Sequence, residues 1–267
     1  MSAPLATSIT DSADQCCRDY LSSFLRNIRT LHLSTGHLTS QTDHSLDEYP
    51  RLRTLVVDTN FVRPLARLFA PTAASSMFQR GLTYISFART TDYDTIAAIV
   101  LAHSATLQSF SFTNTSAPTS RSRLPSDVLG SARDVLGSAL ERCHVLRTLA
   151  LPSDLLPLPA SLPPQLRPPG QLNATHDLPK SIHTLRLVRP WAASSPPTPF
   201  SGLASAMPAS APYHFALTPL LTAQLDQISH IPGGGKLSTL VVRRRFRDFA
   251  IEEWCAERGV ALLLEND

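Results

Sequence analysis

The sequence predicts an α/β fold in which short parallel strands form one curved sheet and helices cover its outer face. Two observations predict this fold. A six-residue pattern of the form apolar-x-x-apolar-x-apolar recurs along the chain, beginning with IRTLHL at residue 28. Segments with apolar residues at helical spacing lie between successive copies. Strands that alternate with helices favour a parallel sheet, because each crossover returns the next strand to the same direction.

The six-residue pattern, here called the hexad, predicts a series of strands that are buried on one side. Its fourth and sixth residues are apolar and their neighbours are mostly polar or small, as such a strand requires. Copies often follow one another at or near the spacing of leucine-rich repeats, about 20–29 residues. The full copies are IRTLHL (28–33), LRTLVV (52–57), LTYISF (82–87), LQSFSF (107–112), LRTLAL (146–151), IHTLRL (182–187) and LSTLVV (237–242), and a looser copy, VALLLE, begins at Val260.

The segments between hexads predict crossover helices. Apolar residues recur at helical spacing in segments 17–28, 96–103, 128–143 and 217–228. The string LPSDVLGSARDVL (124–136) predicts a crossover helix that starts at Ser126 or Asp127. Because no single repeat buries its own apolar side, neighbouring repeats must stack. The sequence therefore predicts a degenerate leucine-rich-repeat solenoid.

The repeats also predict the domain organisation. We expect residues 1–27 to form an N-terminal capping helix region and residues 28–267 to form the irregular solenoid. Two Pro-rich insertions, at 152–170 and 190–212, can sustain neither a regular helix nor a strand. We expect the first to contain short extended or 3-10 pieces that carry leucines onto the core, and the second to be a mobile loop.

Composition argues against several classes of function. The net charge of +3 is too small to imply nucleic-acid binding, and no run of about 18 apolar residues is present to cross a membrane. The start of the chain lacks the basic flank and apolar core of a secretory signal. Four cysteines without a CxxC pair indicate reduced thiols. We therefore expect a cytoplasmic or nuclear protein that binds neither nucleic acid nor membrane.

No motif in the sequence indicates catalysis, a cofactor or a metal. In GGGKLS, Lys236 is followed by leucine, whereas a phosphate loop needs serine or threonine there. GxSxG, HExxH and dinucleotide fingerprints are absent, and the nine histidines are dispersed. The run RRRFR (243–247) is interpreted as a solvated charge cluster, since Asp248, Glu252 and Glu253 follow it. We expect a protein that is not an enzyme and that binds no cofactor.

The candidate binding site is the concave face of the predicted sheet. Strand residues that flank the buried apolar positions point toward this face. The face is rich in hydroxyl groups and becomes basic toward its C-terminal end, which suits protein recognition better than catalysis. The alternative that its threonines only stabilise neighbouring strands stays open. The candidate residues are Thr30, His32, Thr54, Val56, Asp58, Tyr84, Ser86, Ser109, Ser111, Thr148, Thr184, Arg186, Thr239, Val241 and Arg243.

Several longer strings extend the repeat pattern into a family resemblance. They are YPRLRTLVVDTN, CHVLRTLAL, SIHTLRLV and the closing LSTLVVRRRFRDFAIEEWCAERGVALLLEND. With these strings the chain resembles the leucine-rich-repeat region of fungal F-box proteins. In those proteins a last helix with WC-x-x-(R/K)-G leads to a short final strand, and the matching residues here are Trp254, Cys255, Arg258 and Gly259.

The resemblance implies the substrate-recognition subunit of a ubiquitin ligase, in which the repeats hold the target and an F-box holds the ligase adaptor. We find no clear F-box, because residues 1–27 supply one helix where a helical bundle is needed. The first hypothesis is therefore a monomeric, non-enzymatic protein-binding scaffold. The alternatives are a stand-alone signalling regulator, such as a GTPase activator using Arg63, Arg89 or Arg189, and an enzyme with its site in the insertions.

Overall fold

The computed structural model describes residues 27–34, 51–58, 81–88, 90, 92–113, 126–158, 175–188, 219–229, 237–244 and 249–266. Its centre is an open sheet of eight parallel strands, and their order across the sheet is their order along the chain. The strands are β1 (Thr30–Ser34), β2 (Thr54–Asp58), β3 (Tyr84–Ala88), β4 (Ser109–Thr113), β5 (Thr148–Pro152), β6 (Thr184–Val188), β7 (Thr239–Arg243) and β8 (Ala261–Glu265).

Four helices connect strands in the described part of the chain. They are α1 (Tyr93–Ala102) after β3, α2 (Ser126–Glu141) after β4, α3 (Pro219–Ser229) after β6 and α4 (Phe249–Arg258) after β7. The predicted α/β class and parallel sheet are thus confirmed, as is the crossover helix that starts at Ser126. The predicted capping helix region, apart from Asn27, and the insertion at 190–212 lie outside the described residues.

Strand pairing follows the seven full hexads residue for residue. Their third residues form one row across the sheet, so that Thr54 pairs with Tyr84 and Tyr84 with Ser109. Their fourth residues form the next row, in which Leu55, Ile85, Phe110, Leu149, Leu185 and Leu240 are all 0% exposed. The predicted alignment of these hexads is therefore the register of the sheet.

A repeated main-chain hydrogen-bond pattern explains why the second residue of the hexad varies. The carbonyl oxygen of Arg29 accepts the N–H groups of Arg53 and Thr54, at 2.9 and 3.0 Å. The same double acceptance recurs at the carbonyl oxygens of Arg53, Thr83, Gln108, Arg147 and His183. Because the double acceptance is made by main-chain groups, this position accepts arginine, threonine, glutamine, histidine or serine without changing the ladder. The hydroxyls of Thr83 and Ser238 add a further bond to the same carbonyl oxygens, those of Arg53 and His183.

The predicted alignment of the last hexad is wrong by one residue. A copy that starts at Val260 would make Leu263 its buried fourth residue. In β8 it is Leu262 that pairs with Leu240, and the side chain of Leu263 is 53% exposed. Leu263 therefore belongs to the face of the sheet opposite the core.

The end of α4 gives the physical reason for this shift. Gly259 adopts a φ of 64°, its N–H donates to the Ala256 carbonyl at 3.3 Å, and the Val260 N–H donates to the Cys255 carbonyl at 2.9 Å. These two bonds form a Schellman motif, in which the glycine ends the helix and the next apolar residue packs back on it. Val260, 6% exposed, thus takes the place of the first apolar residue of the hexad. Strand β8 begins one residue after it, whereas the other strands begin two residues after their first apolar residue.

The WC-x-x-R-G motif also joins α4 to α3. The indole Nε1 of Trp254 donates to Asp226 Oδ1 at 2.9 Å, and Arg258 Nε lies 2.7 Å from the same oxygen. The Arg258 guanidinium stands over the Trp254 ring, 4.8 Å from its centroid. The motif therefore closes the C-terminal end of the fold with an ion pair, a stacked cation and a capped helix.

The helices pack on the side of the sheet that carries the fourth and sixth hexad residues. One buried core contains those residues together with Ile96 of α1, Leu136 of α2, Leu225 of α3 and Trp254 of α4. Aromatic rings fill its centre: Phe87 and Phe110 make an edge contact at 6.4 Å, and Tyr93 lies 5.8 Å from Phe112. The third, fifth and seventh residues of the strands are left on the other side.

The described part of the first Pro-rich insertion packs on this core. A 3-10 helix at Ser153–Leu155 follows β5, and Leu155, Leu156 and Leu158 are at most 2% exposed. Gln224 of α3 satisfies the main chain of this irregular segment. Its Nε2 donates to the carbonyl oxygens of Leu156 and Pro157, at 2.8 and 3.1 Å. The expected 3-10 piece and buried leucines are confirmed, and residues 159–174 lie outside the described part.

We expect Gln224→Leu to lower the free energy of unfolding by about 1–3 kcal/mol, because two buried carbonyl groups would lose their donor. Gln227 on the same helix bonds Asp177 at the exposed surface, so Gln227→Leu should cost only about 0.5 kcal/mol. Urea unfolding followed by circular dichroism measures both values. Equal losses would contradict a structural role for Gln224.

Candidate functional site

The candidate binding surface, here called the open face, is the side of the sheet opposite the helices. All of the sequence-predicted site residues lie on its strands, at the third, fifth or seventh position. The third-position row contains Thr30, Thr54, Tyr84, Ser109, Thr148, Thr184 and Thr239. The fifth-position row contains His32, Val56, Ser86, Ser111, Arg186 and Val241, and Asp58 and Arg243 hold the seventh position.

Exposure varies along the open face. Thr30 and His32 of β1 are exposed, and the predicted residues of β2, β3 and β4 are half-buried. Val241 lies on the open face but is only 7% exposed, so little of its side chain is available to a partner. The reason is its short side chain, which lies in register between the longer side chains of Arg186 and Leu263.

The central part of the open face is neutral and rich in hydroxyl groups. Strands β3, β4 and β5 carry no charged residue at their third, fifth or seventh position. Tyr84 is the largest side chain of this central part, with Thr54 and Ser109 as its direct neighbours in register. Tyrosine combines a wide apolar ring with a hydroxyl group, and it is enriched among the residues that dominate binding at protein interfaces.

Charges are confined to the two ends of the open face. Asp58 lies at the β2 end, and Arg186, Arg243 and Glu265 lie at the β6–β8 end. Arg186 Nη2 is 2.5 Å from Glu265 Oε2, an ion pair that passes over β7. Arg243 is the register neighbour of Glu265, but among the described residues no carboxylate lies within ion-pair distance of its guanidinium. Among the residues that the structure describes, this end of the open face therefore has two arginines for one carboxylate.

A buried polar cluster lies on the helical side, and sequence reasoning missed it. Arg133 of α2 is 5% exposed and donates through Nε and Nη2 to the Asp154 carbonyl, at 3.0 and 2.6 Å. Burial lowers the pKa of Arg133, and the charges of Asp154 and Asp134 oppose this shift. Burial, aided by Asp154, raises the pKa of Tyr93 to about 12. The cluster fixes α2 against the 3-10 helix after β5.

The described cysteines are free thiols buried in the core. Burial raises the pKa of Cys143 to about 12. Burial also raises the pKa of Cys255 to about 11, although the nearby Arg258 lowers it in part. Only the thiolate is a strong nucleophile, so these pKa values make both thiols unreactive at neutral pH. Cys16 and Cys17 lie outside the described residues.

The remaining candidates from the sequence are placed only in part. Lys236, residues 245–247 of the run RRRFR, Asp248 and the three arginines at 63, 89 and 189 lie outside the described residues. His103 is a satisfied core histidine, since its Nδ1 accepts the Leu82 N–H at 3.3 Å. Among the described residues, no group of three or more histidine, cysteine or acidic side chains could hold a metal ion. None of the described helices is long and apolar enough to cross a membrane.

No protein-family model, curated protein or solved structure matches this chain. The geometry of the open face is therefore the basis of the functional proposal.

Proposed function

We propose that this chain is a protein-binding module, built as an irregular leucine-rich-repeat solenoid, that holds its partner on the open face. The observation that carries the proposal is the unbroken register of the seven full hexads across consecutive strands. Repeat proteins stack similar units in chain order, and each unit contacts only its neighbours. Their extended surfaces serve as binding sites.

The dimensions and chemistry of the open face support this proposal. Eight strands about 4.8 Å apart span roughly 34 Å, which is wide enough for a folded partner or an extended segment. Side chains of a strand alternate between its two sides, so open-face residues can change without disturbing the core. The face combines hydroxyl groups with Tyr84 and two arginines, and tyrosine and arginine are the residue types that dominate many interfaces.

The resemblance to fungal F-box proteins adds a finer proposal, that the module is the substrate-recognition part of a ubiquitin ligase. The closing WC-x-x-R-G motif supports it, because all four of its named residues form the α3–α4 junction and the turn into β8. A stand-alone binding scaffold is the alternative, and identification of the captured proteins separates the two.

The proposal is tested by replacing Tyr84 with the photo-crosslinking residue p-benzoylphenylalanine. The matched control places the same residue at Ala98, which is exposed on α1. Both tagged proteins are irradiated in an extract of the native cells, and crosslinked proteins are identified by mass spectrometry. We expect a defined set of proteins to crosslink from Tyr84 and not from Ala98.

Crosslinks that form equally from both positions, or only from Ala98, would overturn the proposal. Recovery of a cullin and its F-box adaptor with the Tyr84 variant would support the ubiquitin-ligase role. Recovery of other proteins without that machinery would leave a stand-alone scaffold.

A further inference from the structure

We infer that the β6–β8 end of the open face selects the partner, and that it binds a protein segment in which an acidic residue stands beside an apolar one. This surface, here called the arginine patch, consists of Arg186, Arg243, Leu263 and Glu265. The inference rests on the proposed function and specifies the chemistry of the partner. Charge complementarity and the exposure of Leu263 carry it.

Strand register brings the arginine patch together. Arg186, Val241 and Leu263 form one row across β6, β7 and β8, and Arg243 lies beside Glu265 in the row for the seventh position. With strands about 4.8 Å apart, the patch spans roughly 10 Å. A single short segment can therefore contact all four side chains.

The arginine patch carries two positive charges and one negative charge, so it attracts one further carboxylate. Glu265 bonds Arg186 across β7, although Arg243 is its nearer neighbour in register. The Arg186 and Glu265 side chains are 41% and 36% exposed, and exposed ion pairs of this kind are weak. A carboxylate from a partner can bond Arg243 directly, and it can replace Glu265 on Arg186 at small cost.

Leu263 supplies the apolar half of the arginine patch. Its side chain is 53% exposed and lies next to Val241 and diagonally from Arg243. With strands about 4.8 Å apart and a rise of about 3.3 Å per residue, diagonal neighbours on one face lie roughly 8 Å apart, which is within reach of adjacent side chains of a bound segment. The central strands β3 to β5 carry no charge on the open face. Only the two ends of this face can therefore distinguish partners by their charge.

The inference is tested with a phage-displayed library of random dodecapeptides, selected against the full chain. Enriched peptides are synthesised and their affinities measured by fluorescence anisotropy. We expect Asp or Glu beside Leu, Ile or Phe in the enriched sequences. Arg243→Glu should weaken binding about tenfold, which corresponds to about 1.4 kcal/mol. Arg142→Glu, the same charge reversal at the exposed end of α2, should leave affinity within about twofold.

Two further variants sharpen the test. Glu265→Gln removes the internal competitor and should strengthen binding about threefold, as expected for loss of a weak exposed pair. A peptide whose acidic residue is replaced by lysine should bind Arg243→Glu more tightly than it binds the unaltered chain. Circular dichroism verifies that each variant is folded.

The outcomes separate failure of the inference from failure of the proposed function. Suppose that Tyr84→Ala lowers the affinity of the selected peptides, but that these peptides show no acidic preference and bind Arg243→Glu as tightly as the unaltered chain. That result would overturn the arginine patch alone. If neither Tyr84→Ala nor Arg243→Glu lowers the affinity of any selected peptide, both proposals are overturned. Self-association that Leu263→Asp abolishes, measured by sedimentation, would show that a second copy covers the patch and would also overturn the inference.

Discussion

Replacing Phe110 with alanine is expected to lower the free energy of unfolding by about 3–5 kcal/mol, the range measured for truncation of buried aromatic residues. Phe110 is 0% exposed and occupies the fourth hexad position of β4, in the middle of the sheet. Its ring meets Phe87 edge-on at 6.4 Å, so truncation removes this contact as well as apolar burial. A cavity there also borders Ile85 and Leu149, its register neighbours on β3 and β5.

Ser111 provides the matched control, because it is the next residue of the same strand and points to the open face. We expect Ser111→Ala to change the free energy of unfolding by no more than about 0.5 kcal/mol. Urea unfolding followed by circular dichroism measures both variants. If Phe110→Ala does not fold, Phe110→Leu should fold with a smaller loss, about 1–2 kcal/mol. Similar losses at positions 110 and 111 would contradict the assignment of the two faces.

The register of the sheet could be predicted from the sequence because side chains alternate along a strand. A slip of one residue would move the apolar fourth and sixth residues to the wrong side of the sheet, so these two positions of the hexad fix the pairing of its strand. The last strand shows the limit of this rule. Leu262, Leu263 and Leu264 follow one another, and three consecutive leucines contain no alternation from which to infer the pairing.

The slipped alignment also hid part of the candidate site. A hexad that starts at Val260 has Leu263 at its fourth position and Glu265 at its sixth, which places both residues on the core side of the sheet. The capped end of α4 decides the alignment, through the left-handed backbone of Gly259. Where alternation fails, a glycine immediately after a predicted helix is the better guide to the start of the next strand.

Long-range polar contacts could not be predicted from the repeat pattern. Gln224 bonds carbonyl groups 68 and 67 residues away, and Arg133 bonds one 21 residues away. The sequence did carry a signal for Gln224, since it interrupts the apolar side of α3 beside Leu221 and Leu225. A polar residue at such a position must find a partner when it is buried, although the pattern does not identify which one.

Alkaline pH is expected to unfold the protein through groups that the fold keeps protonated. Burial raises the pKa of Cys143 from 9.0 to about 12, of Cys255 from 9.0 to about 11, and of Tyr93 from 10.0 to about 12. Below pH 9 all three groups are protonated in both states, and their contribution to stability is complete. As the pH rises from 9 to 12 the unfolded chain releases protons that the folded chain retains, so stability falls.

Cys143 is expected to account for roughly 2–3 kcal/mol of this loss at pH 11, which is two pH units above its usual pKa of 9.0. Cys143→Ser removes the ionisable thiol. It keeps a donor for the Ala139 carbonyl, which the Cys143 thiol contacts at 3.4 Å. Free energies of unfolding are measured at pH 8 and pH 11 for both chains. We expect the loss of stability between pH 8 and pH 11 to be roughly 2–3 kcal/mol smaller in Cys143→Ser.

Comparing losses between two pH values cancels any cost of the serine that is independent of pH. Tyr93→Phe provides a second control, because its effect should begin only above pH 10, where tyrosine ionises in the unfolded chain. Loss of stability that is equally steep in Cys143→Ser and the unaltered chain would mean that Cys143 ionises in the folded protein. That result would contradict the burial of Cys143 in the core, because burial among apolar side chains disfavours the thiolate.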